Sequence, residues 1–171
     1  SQAFLLKVLQ TASGLVVIDE AYAEFSGETL LPWVKKYPNL VILRTFSKAC
    51  GLGGARVGYL VAQGSVAQQV VKVLMPYCLS AISACIAEVA LDYPMLIKNN
   101  IKTTIQERKR VFAAMKQLPG VQVFPSQTNF LLFKVKDALT TFAKLIKKGI
   151  LVREIHSDTL TNCLRVTIGT K

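Results

Sequence analysis

Acidic residues are scarce in this sequence: ten Asp and Glu stand against twenty-one Lys and Arg, a formal net charge of +11. That imbalance points to anionic partners, whether nucleic acid, acidic lipid or a phosphorylated small molecule. Histidine occurs once, at His156, and the four cysteines at 50, 78, 85 and 163 form no C-x-x-C pair. Their spacing excludes structural zinc and leaves a reduced, cytosolic chain as the plain reading. Long apolar runs are absent as well. The longest uncharged stretch, 73–87, contains Pro76 and is shorter than the ~20 residues that span a bilayer, so it reads as buried core and no membrane partner is expected. The apolar start from Ala3 to Leu6 is short and cut by Lys7, so it is not expected to act as a signal peptide. The two densest basic stretches, 98–110 and 134–148, lack the aromatic interleaving of a nucleic-acid module. They read as solvated helix faces, and no nucleic-acid partner is expected.

What is present fits a folded α/β chain. With 51% hydrophobic and 18% charged residues, the 171-residue chain buries roughly two-thirds of its unfolded surface. Disorder and fibrous classes are excluded. Residues 2–10 suit a short helix with Phe4, Leu5, Val8 and Leu9 on one face, ended by Ser13-Gly14. Leu15-Val16-Val17-Ile18 then stops abruptly at Asp19-Glu20, and Leu40-Val41-Ile42-Leu43 stops likewise at Arg44-Thr45. Such runs predict strands buried on both faces of a mostly parallel sheet. Ligands of open α/β sheets sit outside the carboxyl ends of the strands, so both polar edges are expected to face one crevice.

A third strand is expected over 57–62, after a glycine-rich segment in which Arg56 occupies the last position of a would-be G-x-G-x-x-G pattern. A dinucleotide fingerprint needs glycine there and a helix next, so a Rossmann reading is rejected. Helical composition over 65–90 breaks near Pro76. A longer helix follows Pro94, with Ile97, Ile101, Ile105, Phe112 and Met115 on one face and Lys98, Lys102, Gln106, Lys109 and Arg110 on the other. Pro119-Gly120 ends it. Strands are then expected over 129–135, 150–153 and 163–168, with a helix over 138–148, which makes a small α+β domain.

Chemistry concentrates at the two strand ends. An amine held near low-dielectric surroundings favours its neutral form, which is the nucleophile that forms a Schiff base. Lys48, in Arg44-Thr45-Phe46-Ser47-Lys48, stands at such a place, with glycine-rich backbone following. Asp19 suits a protonated ring nitrogen and Tyr22 a ring oxygen. With Lys48 for an aldehyde, they describe a pyridoxal phosphate site. Thr45, Ser47 and Arg56 supply donors for the phosphate, Arg56 as a fork that binds two oxygens. Asp19 and Tyr22 taken alone also suit a helix cap. His156 reads as a solvated loop histidine, and no nucleophilic triad is formed.

The stretches Val17-Ile18-Asp19-Glu20-Ala21-Tyr22-Ala23-Glu24-Phe25, Arg44-Thr45-Phe46-Ser47-Lys48-Ala49-Cys50-Gly51-Leu52 and Gly54-Ala55-Arg56-Val57-Gly58-Tyr59 resemble the fold-type I aminotransferases. Within these the chain is most similar to the histidinol-phosphate aminotransferases. Further matches are Pro125-Ser126 with Thr128-Asn129-Phe130-Leu131-Leu132-Phe133, Gly149-Ile150-Leu151-Val152-Arg153 and Leu164-Arg165-Val166-Thr167-Ile168-Gly169. The resemblance covers essentially the whole chain in order and spacing.

It implies a cofactor, pyridoxal 5'-phosphate, bound by Lys48 as a Schiff base. Asp19 would hold the ring nitrogen protonated, Tyr22 would bond the ring oxygen, and Thr45, Ser47 and Arg56 would take the phosphate. Lys48, Asp19 and Tyr22 are then the catalytic group. Arg165 and Arg153 would bind the substrate's acidic group, although Arg153 also suits a plain ion pair with Glu154 or Asp158. The implied reaction interconverts histidinol phosphate and its keto counterpart with glutamate and 2-oxoglutarate, in the cytoplasm, by a homodimer. An aromatic aminotransferase, a threonine-phosphate decarboxylase or a non-catalytic fragment are the alternatives.

The resemblance further implies that residues 1–93 are the carboxyl-terminal part of a cofactor-binding domain, 94–118 a linking helix, and 119–171 a small domain without its final helix. Family members begin well before Ser1. The isolated 171-residue chain is therefore expected to be inactive.

Overall fold

The computed structural model describes residues 2–170, in two compact units, Ser1–Ile97 and Lys98–Lys171. In the first, helix α1 (Gln2–Thr11) leads into strand β1 (Val16–Asp19), and β2 (Leu40–Thr45) lies parallel to it with Val16 opposite Leu40 and Asp19 opposite Leu43. Parallel neighbours need a crossover. Here it is built from a short helix α2 (Ala23–Ser26) and a 3-10 turn at Leu31–Lys35 rather than from one long helix. Strand β3 (Gly58–Val61) completes the order β1-β2-β3 and runs antiparallel to β2. Gly58 faces Thr45 at that pairing, and a Cβ there would meet the Arg44 carbonyl oxygen at 3.1 Å, so only glycine lets the strands approach this closely.

The core of this unit forms on one side of the sheet. Leu40 and Ile42 are fully buried against Leu9, Leu30 and Val34, with Val16, Ile18 and Trp33 packed around them. The opposite side of β1 does not follow the expectation of a strand buried on both faces. Its residues alternate, and Val17 is 54% exposed. A continuous apolar run records that both faces suit burial without recording what covers the second.

The same distinction corrects the reading of 73–87 as core. Helix α3 (Gly64–Val71) ends before it, helix α4 (Ala81–Leu91) starts late in it under a Ser80 cap, and Val73, Met75 and Ile82 all face outward. Tyr77 is 99% exposed at a backbone φ of 59°. In this stretch Ala87 alone reaches the buried class among the described residues. Among the described residues no helix is long and apolar enough to cross a membrane.

Helix α5 (Pro94–Lys116) runs across the division between the units. Beyond it, β4 (Gln122–Val123), β5 (Phe130–Lys134), β6 (Arg153–Glu154) and β7 (Cys163–Thr167) form an antiparallel sheet in the order β4-β5-β7-β6, with helix α6 (Ala138–Lys147) between β5 and β6 in the chain. Leu164 on β7 is fully buried with Phe133, Ala138 and Val152, and Phe142, Leu145 and Met115 close around them. The strand expected over 150–153 is confined to its end. Gly149, at φ 75°, turns the chain out of α6, and Val152 is spent on the core before pairing begins at Arg153.

Helix α6 is started by Asp137, whose carboxylate accepts from the Thr140 backbone N–H at 3.0 Å and from the Thr140 hydroxyl at 2.6 Å. These bonds, the hydroxyl first, hold the carboxyl below its usual range. A depressed carboxyl pKa contributes stability above the unfolded value that is lost as pH falls through the folded one. Asp137→Ala is therefore expected to melt below the parent at pH 6. Thermal scans repeated toward pH 2 should show the gap closing, and a gap that stays constant would assign the effect to something other than this cap.

Candidate active site

The parallel pairing of β1 and β2 ends both strands side by side, and the Glu20 N–H donates to the Leu43 carbonyl at 3.0 Å to extend the register. From this edge the first unit presents most of the residues expected from the sequence. Asp19 is exposed, its Oδ1 accepting the Ala21 N–H at 2.9 Å, with no cation partner among the described residues. Tyr22 precedes α2 and is half-buried. Lys48 brings its Nζ to 5.5 Å from the centre of the Tyr22 ring. It has no carboxylate at ion-pair distance among the described residues, so the structure holds this amine against an aromatic face rather than against an acid.

The loop between β2 and β3 is shaped by Thr45. Its hydroxyl donates to the Val57 carbonyl at 3.2 Å and accepts the Ser47 N–H at 3.0 Å. That hydroxyl proton is thus committed to the loop, while the Ser47 side chain stays outside this network. Arg56 is exposed at a φ of 56°, and its Nη1 donates to the Gly53 carbonyl at 2.9 Å. A non-glycine residue in the left-handed region is uncommon.

Sequence reasoning missed the charged cluster behind this edge. Glu20 is buried and Arg44 nearly so, and Arg44 Nη2 lies 2.8 Å from Glu20 Oε2 while its Nη1 lies 2.8 Å from Glu24 Oε1. The signal was available. A charge placed directly after an apolar strand, as Glu20 is, or within its last turn of pleat, as Arg44 is, needs a partner nearby.

The second unit presents two arginines on one sheet face. Arg153 on β6 lies directly opposite Arg165 on β7. Like charges in that relation repel. Neither Glu154 nor Asp158 forms an ion pair with Arg153 among the described residues. Glu154 pairs in register with Leu164 and lies 3.9 Å from His156. The Arg165 guanidinium is stacked 5.0 Å above the Phe130 ring, and its Nε is buried with no hydrogen-bond partner among the described residues. A buried guanidinium donor without an acceptor among the described residues, beside a second cation, favours the approach of a negatively charged oxygen. No group of His, Cys, Asp and Glu suited to a metal ion occurs among the described residues.

Compared with known proteins, residues 2–171 match the family model for aminotransferase class I and II. The chain belongs to that family. Among curated members of this aminotransferase family it is 44% identical over 169 residues to the histidinol-phosphate aminotransferase of Ruminiclostridium cellulolyticum, covering 98% of this chain and 47% of that protein. The histidinol-phosphate aminotransferase of a Thermoanaerobacter species is 41% identical over 166 residues, again 47% of its length. The chain thus spans about half the length of the curated relatives it matches.

Among solved structures, the histidinol-phosphate aminotransferase of Sinorhizobium meliloti in complex with pyridoxal-5'-phosphate superposes with a TM-score of 0.77 at 30% identity, over 90% of this chain and 44% of that one. The Clostridium acetobutylicum histidinol-phosphate aminotransferase gives 0.88 at 23% identity over the whole chain and 55% of that one, a likeness of fold. The fold-type I α/β class expected from the sequence is borne out.

Proposed function

We propose that this chain is part of a pyridoxal-phosphate-dependent aminotransferase acting on histidinol phosphate, with glutamate and 2-oxoglutarate as the other substrate pair, in histidine biosynthesis. Residues 1–93 would belong to its cofactor-binding domain, 94–118 to a linking helix and 119–171 to its small domain. The intact enzyme would be a cytoplasmic homodimer. The observation that carries the reading is the Lys48 amine poised over Tyr22 at the strand edge where Asp19 ends β1.

The donor set fits the cofactor: an amine with no acid and a carboxylate with no cation at ion-pair distance among the described residues, and Ser47 and Arg56 at the following loop. When bound, the cofactor supplies an aldehyde and an electron-withdrawing pyridine ring. Asp19 would accept the ring N–H and keep that proton in place, since an anion beside it favours the charged form. Tyr22 would donate its hydroxyl proton toward the ring oxygen. Ser47 and Arg56 would hold the phosphate, with Thr45 fixing the loop that presents them. Lys48 Nζ would first anchor the cofactor and then, released by an incoming amine, take the proton from the substrate carbon that bears nitrogen. Arg165 and Arg153 would bind the substrate's phosphate or carboxylate, a doubly charged group meeting two cations.

Substrate class is tested by titrating the cofactor-treated chain with histidinol phosphate and with histidinol. Tighter binding of the phosphorylated compound is expected. Arg165→Leu should weaken it by about ten- to a hundredfold, since hydrogen bonds to charged groups contribute about 1.5–3 kcal/mol. Equal affinity for the two compounds would remove the arginine pair from substrate recognition.

A further inference from the structure

The buried cluster behind the strand edge joins the two segments that carry the proposed active-site lysine and tyrosine. Glu20 follows Asp19 directly, Glu24 lies on α2 two residues after Tyr22, and Arg44 stands on β2 four residues before Lys48. Arg44 reaches both acids at once: Nε to Glu20 Oε2 at 3.0 Å, Nη2 to the same oxygen at 2.8 Å, and Nη1 to Glu24 Oε1 at 2.8 Å. Thr29 adds a third tie, its Oγ1 accepting from Arg44 Nη2 at 2.9 Å and donating to Glu20 Oε2 at 2.8 Å.

Side-chain exposures are 12% for Arg44, 6% for Glu20 and 28% for Glu24, so solvent screens these bonds far less than it would a surface pair. Glu24 also lies near the turn after Lys48. Burial first, and the Glu24 charge second, push the Cys50 thiol pKa up. One planar guanidinium therefore fastens the segment on either side of Tyr22 to the strand that delivers Lys48. An ammonium in its place offers a point charge with no fork to grip two carboxylates.

We propose that Arg44, held by Glu20 and Glu24, is a positioning residue that sets the Tyr22 ring against the Lys48 amine. The role rests on the reading of Lys48 and Tyr22 as the cofactor's residues, but the geometry it controls belongs to this chain and is measurable without cofactor.

The test uses this chain with its lysines reductively 13C-methylated, and Lys48→Arg to assign the Lys48 signal. A methyl group above an aromatic ring is shifted by it, so the Lys48 resonance should stand apart from the other lysines, and Tyr22→Leu should return it to their position. Arg44→Lys and Glu24→Gln are each expected to move it at least halfway to that position, at a temperature where circular dichroism shows them folded. Thr29→Val, which leaves both carboxylates on Arg44, should leave it in place. Where Arg44→Lys fails to fold, Glu24→Gln decides, because it keeps the Glu20 pair.

A Lys48 resonance that does not move in folded Glu24→Gln overturns the proposal, as does one indifferent to Tyr22→Leu, since a merely structural Arg44 lowers stability without moving that signal. Failure of the cofactor reading is distinct. It would show as no Lys48-dependent absorbance with pyridoxal phosphate in a chain whose Lys48 resonance still responds.

Discussion

Glu20→Ala is expected to destabilise the Ser1–Ile97 unit by about 3 kcal/mol, the low end of what breaking a buried ion pair costs when one charge is left behind. Glu20 is 7% exposed and serves several donors: the Leu30 N–H at 2.6 Å, the Thr29 hydroxyl at 2.8 Å, and both Nε and Nη2 of Arg44. Removing it strands the Leu30 N–H inside the core, beside Leu40 and Ile42, and leaves Arg44 with Glu24 as its remaining carboxylate and the Thr29 hydroxyl as a neutral acceptor. Glu20→Gln keeps an acceptor for Leu30 and should lose less. Urea unfolding of the three proteins checks the order. A loss below about 1 kcal/mol for Glu20→Ala would mean that the cluster is as wet as a surface ion pair.

In the second unit the largest loss is expected from Leu164→Ala. Leu164 is fully buried on β7, between β5 and β6, against Phe133, Ala138 and Val152. Truncation there removes apolar contacts from three directions, and a strand paired on both sides cannot shift to fill the space. About 2–5 kcal/mol follows for such a site. Val17→Ala is the contrast. Its side chain is 54% exposed on the open face of β1, and surface substitutions fall within about 0.5 kcal/mol. Denaturant melts of the two variants should separate clearly; similar losses would mean that Val17 is covered in solution.

The parallel pair β1 and β2 was legible because each apolar run ends sharply in polar residues, and those ends hold Asp19 and Lys48. The helix after Pro94 was legible from its 3.6-residue period. The open side of β1 and the outward-facing 73–87 stretch were not, because hydrophobicity states a preference for burial and names no partner. Strand β4 has two residues, too few for any alternation to register. Arg153 opposite Arg165 is a matter of register between segments twelve residues apart, set by how β6 enters the sheet after Val152, and no local pattern encodes it. Had alternation been followed through Arg153-Glu154, it would have placed Glu154 on the other face and removed the Glu154 half of the ion-pair alternative. Arg108 on α5 was missed for a similar reason. It is buried and donates to the Thr128 carbonyl at 2.5 Å, a partner visible only once β5 is placed.

The measurement that reaches the central claim most directly is the absorbance spectrum of the purified chain mixed with pyridoxal phosphate, before and after borohydride, with Lys48→Ala alongside. The account predicts a band near ~420 nm that depends on Lys48, and a reduced adduct located by peptide mass on Lys48. A spectrum identical in the two proteins, or an adduct spread over the other lysines, would contradict it.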